Sequence, residues 1–150
     1  MKRFVWRLQK VLDIKTKEEQ FKRMELFRLT EALTEKRAEL ILRQRLLQEA
    51  LAEVGRIAPA QRLRTQEFFL KHVTADDRRI RGLQNEIVNL EAQQEAKRQE
   101  VLAAKRFKEG LEKLRTEAKA QYICEQEHLE QKESDDRATV AFARAGDTNI

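Results

Sequence analysis

Glu53–Gln61 reads EVGRIAPAQ. Pro59 is the only proline in 150 residues, and Gly55 is one of four glycines. Two helix breakers therefore stand within five positions, about a third of the way along the chain. Gly55 suits a C′ position, where a left-handed backbone closes a helix cheaply. Pro59 suits the first turn of a new helix, where its missing N–H costs nothing. The residue before it is pushed away from helical geometry. The stretch reads as a turn between two helices.

The flanks support that reading. Before the turn, Leu8, Val11, Leu12, Met24, Leu26, Leu29, Leu33, Leu40, Leu47, Leu51 and Val54 recur at steps of three and four and form one helical stripe. After it, Ile80, Leu83, Ile87, Leu90, Val101, Ala104, Leu111, Leu114, Ala118 and Tyr122 follow a heptad pattern. Each helix must bury its stripe, so the two fold back on one another. The fold class is all-α: a long two-helix antiparallel coiled-coil hairpin with a longer second helix. The expected bounds are a helix over 2–54, a turn over 55–59, a helix over 60–144 and a frayed tail over 145–150.

A turn centred near 57 gives a pairing rule, with residue i facing roughly 114 − i. Under it Leu8 and Phe4 meet Phe107 and Leu111 respectively, and Leu12 meets Val101 or Lys105. Met24 meets Leu90, and Phe27 meets Ile87. The polar stretches 15–20 (KTKEEQ) and 94–99 (QEAKRQ) then face each other as a loosely packed layer. Residues beyond about 113 have no partner and overhang the N-terminus.

Composition excludes much else. Charged residues make up 38% and aromatics 6%, too few large apolar side chains for a compact core of ordinary size. The net charge is +5, with residues 1–54 at +4, 55–119 at +5 and 120–150 at −4. A basic body with an acidic tail points to oriented contacts with other macromolecules. The lone Cys124 permits no disulfide framework within the chain, and a reducing cytoplasm suits it. No apolar run approaches a membrane span, and the start lacks a signal-peptide pattern. With only His72 and His128 there is no metal-ligand spacing, and no phosphate-binding glycine loop occurs. A two-helix pair offers no concave pocket in which to tune an acid or base. We expect no enzyme activity, no cofactor and no metal.

Two regions carry more apolar surface than one stripe needs. Near the turn these are Leu40, Ile41, Leu42, Leu46 and Leu47, with Phe68 and Phe69 opposite. Adjacent phenylalanines point about 100° apart, so only one enters the seam. Arg43, Arg45, Arg56, Arg62, Arg64, Arg78, Arg79 and Arg81 surround them, and arginine beside apolar residues is typical of binding hot spots. The second region is the N-terminal RFVWRLQKVL, where Trp6 either seals the open end against Phe107 or Lys108 or enters a partner.

The sequence resembles the FliJ family of flagellar export proteins and, more distantly, the YscO-type proteins of injectisomes. Phe4–Asp13 (FVWRLQKVLD) is similar to the family's F-x-F-x-L-x-x-V-L-x-x-R, with Trp6 in place of the second aromatic. The hairpin has the family's length and break. Lys105–Arg144 (KRFKEGLEKLRTEAKAQYICEQEHLEQKESDDRATVAFAR) is similar to its late segment, with Asp136 where a glutamate is usual.

The resemblance implies a fold like the γ stalk of rotary ATPases. It implies a place in the pore of the hexameric export ATPase, promotion of ATPase assembly, contact with the export gate membrane protein, and recycling of export chaperones. It implies no catalytic residues. Family gate-contact positions fall near Leu42, Leu46, Phe69 and Val73, and Phe4, Trp6 and Leu8 form the candidate contact set at the open end. The protein is expected to be a monomer in isolation, cytoplasmic and peripheral at the cytoplasmic face of the inner membrane. Two alternatives from other classes are a scaffold coiled coil that dimerises through its seam and a basic hairpin that binds nucleic acid. No nucleic acid is expected under the export reading.

Overall fold

The computed structural model describes residues 2–56 and 59–148, with side chains of the second helix from Leu63 onward. Two helices account for nearly all of them: α1, Gln9–Arg56, and α2, Pro59–Asp147. No strand occurs among the described residues. The second helix is the longer, 89 residues against 48, and the fold is a helical hairpin. Two compact units make up the chain, Gln20–Ala103 and Met1–Glu19 with Ala104–Ile150.

Within Gln20–Ala103 the helices run antiparallel and are tied by ion pairs. Lys97 Nζ lies 2.7 Å from Glu25, Arg37 2.9 Å from Glu91, Arg79 3.0 Å from Glu39, and Lys36 3.1 Å from Glu86. Gln94 donates to the Thr30 hydroxyl at 3.0 Å. The core of this unit is Leu33, Ile80, Leu83 and Ile87, all buried.

In the unit built from both termini, Arg115 donates to Gln9 at 2.8 Å and Lys15 sits 5.0 Å above the Phe107 ring. Leu12 and Leu111 are its buried apolar residues. Glu19, only 1% exposed, is its buried carboxylate.

These contacts revise the pairing. Partners have residue numbers adding to between 118 and 128, rather than 114. The burial pattern explains why. On α1 the shielded positions 12, 15, 19, 22, 26, 29, 33, 36, 40, 43, 47, 50 and 54 alternate steps of three and four without a break. On α2 the same alternation runs from Phe69 through 73, 76, 80, 83, 87 and 90 to Tyr122. Aligning the two runs at a sum near 123 sets Leu33 against Leu90, Leu40 against Leu83, and Leu12 against Leu111. The expected sum of 114 would have set Leu33 against Arg81 and Leu40 against Thr74. The ion pairs of Lys36, Arg37 and Glu39 with Glu86, Glu91 and Arg79 hold the observed register.

Several expectations fall with the old register. Met24, Phe27, Val11, Leu51 and Leu114 are exposed and off the seam. Leu12 faces Leu111, not Val101 or Lys105. The polar stretches 15–20 and 94–99 do not meet: Lys97 of the second pairs with Glu25, while Lys15 of the first lies over Phe107. The paired part of α2 reaches Tyr122 rather than residue 113, and 127–148 are exposed throughout.

The boundaries shift as well. Residues 2–6 are not helical, and α1 starts at Gln9. Gly55 is helical with a negative φ, not a left-handed cap, and α1 continues to Arg56. Pro59 does open α2, where its fixed φ suits the first turn. The connecting residues 57 and 58, where the rest of the expected turn falls, lie outside the described residues. Residues 145–147, expected to fray, close α2.

Candidate functional site

The turn-proximal end of the Gln20–Ala103 unit carries an apolar groove. Its floor comes from Leu47, Ala50 and Val54 of α1 and Phe69 and Val73 of α2. These are successive heptad positions, so the sequence periodicity itself brings them to one seam. Leu46 and Phe68 form the walls, with Glu53, Thr65, His72 and Asp76 at the rim. The Phe68 and His72 rings meet edge to face at 4.3 Å, one turn apart on the same helix. Phe68 is 65% exposed while Phe69 is half-buried, so only one of the adjacent pair enters the seam.

Three of the four turn-end candidates, Leu46, Phe69 and Val73, line this one groove. Leu42 does not; it stands exposed a turn earlier on α1, as Ile41 does. Phe68 belongs to the surplus apolar residues noted near the turn, whereas His72 was not singled out as a binding residue. Their i, i+4 spacing was the available signal, but His72 was weighed only as a metal ligand. Leu51, Leu63 and Leu70 are also exposed apolar residues.

Below the groove, charge is tightly paired. Glu39 accepts from Arg79 at 3.0 Å and from Arg43 at 3.3 Å. The Arg79 bond holds the Glu39 carboxyl below its ordinary value of 4.5, outweighing partial desolvation, and Arg43 adds to it. Further along, Lys97 is pushed above its ordinary 10.5 by Glu25 first and Glu100 second. Glu100 is correspondingly lowered, chiefly by Lys97. These are cross-helix and local fasteners rather than poised acids or bases.

The open-end candidates lie in the other unit. Phe4, Trp6 and Leu8 are all half-buried. Phe4 packs on Tyr122, with ring centroids 5.4 Å apart, and lies 6.0 Å from the Arg115 guanidinium. It does not meet Phe107, which is exposed beneath Lys15. Trp6 lies beside Gln9 and Arg115, not Phe107 or Lys108.

Among the described residues no cluster of three or more His, Cys, Asp or Glu is placed to hold a metal, and Cys124 is exposed. No described helix is long and apolar enough to cross a membrane. No curated protein and no solved structure matches the chain. A family profile described as "Flagellar FliJ protein" matches residues 3–147, nearly the entire sequence. The chain therefore belongs to the FliJ family, a non-catalytic component of flagellar export, and its role lies in that export system.

Proposed function

We propose that this protein is the central stalk component of the flagellar type III export apparatus. It binds in the pore of the hexameric export ATPase, promotes assembly of that ring, and contacts the export gate membrane protein. Release and recycling of export chaperones follow from the same position at the cytoplasmic face of the inner membrane. The chain supplies no catalytic group of its own. ATP chemistry stays with the ring.

The observation that carries the reading is the family match over residues 3–147. Two features support the finer assignment. First, α2 runs on as an exposed helix past Tyr122, where α1 no longer accompanies it. A slim helical element of that kind fits a ring pore, as the likeness to a γ stalk implies. Second, Leu46, Phe68, Phe69 and Val73 line an apolar groove on the hairpin. Its aromatic walls suit a protein partner, because buried aromatic anchors dominate interface energies.

The test is the double variant Leu46→Ala, Phe69→Ala. Each anchor of a well-packed interface contributes on the order of 2 kcal/mol, so affinity for the cytoplasmic domain of the gate protein should fall by roughly a hundredfold or more. Swimming should be lost while helicity is retained. Unchanged gate binding and unchanged motility would remove the groove from the gate contact.

A further inference from the structure

Residues 2–6 do not continue α1; they cross to α2. The Tyr122 hydroxyl donates to the Lys2 carbonyl, and the Phe4 ring packs on the Tyr122 ring at 5.4 Å. Arg115 stands 6.0 Å from the Phe4 ring and donates to Gln9 at 2.8 Å. The Gln9 amide donates to the Trp6 carbonyl at 3.2 Å, which turns the chain into α1. Arg115, Ala118 and Tyr122 are the last three shielded steps of the α2 heptad seam. At Tyr122 the seam meets this short segment instead of a helix, while Arg115 touches both the segment and the first residue of α1.

We propose that residues 2–8 form a releasable strap that masks the α2 seam from Arg115 to Tyr122. The contacts explain why it opens readily. One ring pair is worth about 0.5–1.5 kcal/mol beyond its area, and one hydrogen bond about 0.5–1.5 kcal/mol net. Segments held by so few contacts open locally at far less cost than global unfolding. Opening uncovers Tyr122 and Arg115 on α2 and frees Phe4 and Trp6 on the released segment. The proposal concerns the chain alone and stands independently of the export reading.

Trp6 is the sole tryptophan, so the strap carries its own reporter. Acrylamide quenching of Trp6 and binding of the dye anilinonaphthalene sulfonate, an indicator of exposed apolar surface, are measured on the full chain and on Tyr122→Ala. The variant should raise the quenching constant by roughly two- to threefold and increase dye fluorescence, with helicity at 222 nm unchanged, as expected for local opening. Tyr122→Phe, which keeps the ring and removes the hydroxyl, should fall between the two and serves if the alanine variant loses structure. A wild-type Trp6 already as quenchable as free tryptophan would overturn the strap. So would wild-type protection that neither Tyr122 variant alters.

Discussion

Replacing Leu83 with alanine tests the packing from which the groove's position follows. Leu83 is 0% exposed, and the register sets it opposite Leu40. The ion pairs Glu39–Arg79 and Lys36–Glu86 fix that register on either side, at 3.0 and 3.1 Å. Truncating a buried leucine costs about 2–5 kcal/mol, depending on how far the site collapses. A seam between two helices has solvent close on both flanks, which favours collapse and places the expected loss at about 2–3 kcal/mol. At about 2–4 °C per kcal/mol for a chain of this size, the midpoint should drop by roughly 4–12 °C. The assay is thermal and urea unfolding followed by ellipticity at 222 nm. Val88, five positions on and 62% exposed, supplies the control: Val88→Ala should change stability by less than about 0.5 kcal/mol. A Leu83→Ala loss no larger than that of Val88→Ala would refute the heptad assignment and, with it, the derived position of the groove.

Further outcomes follow from the charges and the exposed helix. A double-mutant cycle on Glu25 and Lys97, paired at 2.7 Å, should give a small favourable coupling that shrinks in high salt. The Glu39 carboxyl titrates below its ordinary 4.5 in the folded state. Its contribution is therefore fully present above the unfolded value and is lost as pH falls through the lower folded one. Urea midpoints measured from pH 6 down to pH 3 should fall less steeply for Glu39→Gln than for wild type. Lys97 behaves in the opposite sense: raised above 10.5, it contributes below that pH, and the contribution disappears as pH climbs through the folded value. Ending the chain after Gln126 removes only exposed residues. It should reduce helical signal while leaving the urea midpoint of the remainder within about 0.5 kcal/mol of wild type.

The heptad steps and the Gly55–Pro59 break made the two-helix hairpin readable from sequence. Family membership was readable from Phe4–Asp13 and Lys105–Arg144. Register was not readable, for a physical reason. The turn was centred near 57, between Gly55 and Pro59, because glycine commonly closes helices, yet Gly55 adopts ordinary helical geometry and α1 passes through it. Counting apolar matches does not fix the register, since a sum of 113 sets Leu33, Leu40 and Leu12 against Ile80, Val73 and Val101 just as a sum of 123 sets them against Leu90, Leu83 and Leu111; the cross-helix ion pairs decide between them. Charged seam residues obscured that count. Lys15, Glu19, Lys22 and Lys36 occupy positions at which a leucine would have announced the heptad, while Phe21, Met24 and Phe27 are apolar and exposed. At the turn end, four residues were carried over by positional analogy; Leu46, Phe69 and Val73 line one groove, and Leu42 lies outside it. At the other end, FVWRLQ looks helical on periodicity alone. Tertiary contacts of Phe4 with Tyr122 and Arg115 override that local preference.

The most direct test of the stalk assignment is to mix the purified chain with the export ATPase of the same organism, and measure stoichiometry and ATP turnover together. A single asymmetric element in a six-fold ring predicts one chain per six subunits, with turnover faster than that of the ATPase alone. Binding at six chains per ring, or no binding and no stimulation by a folded monomer, would contradict the stalk assignment.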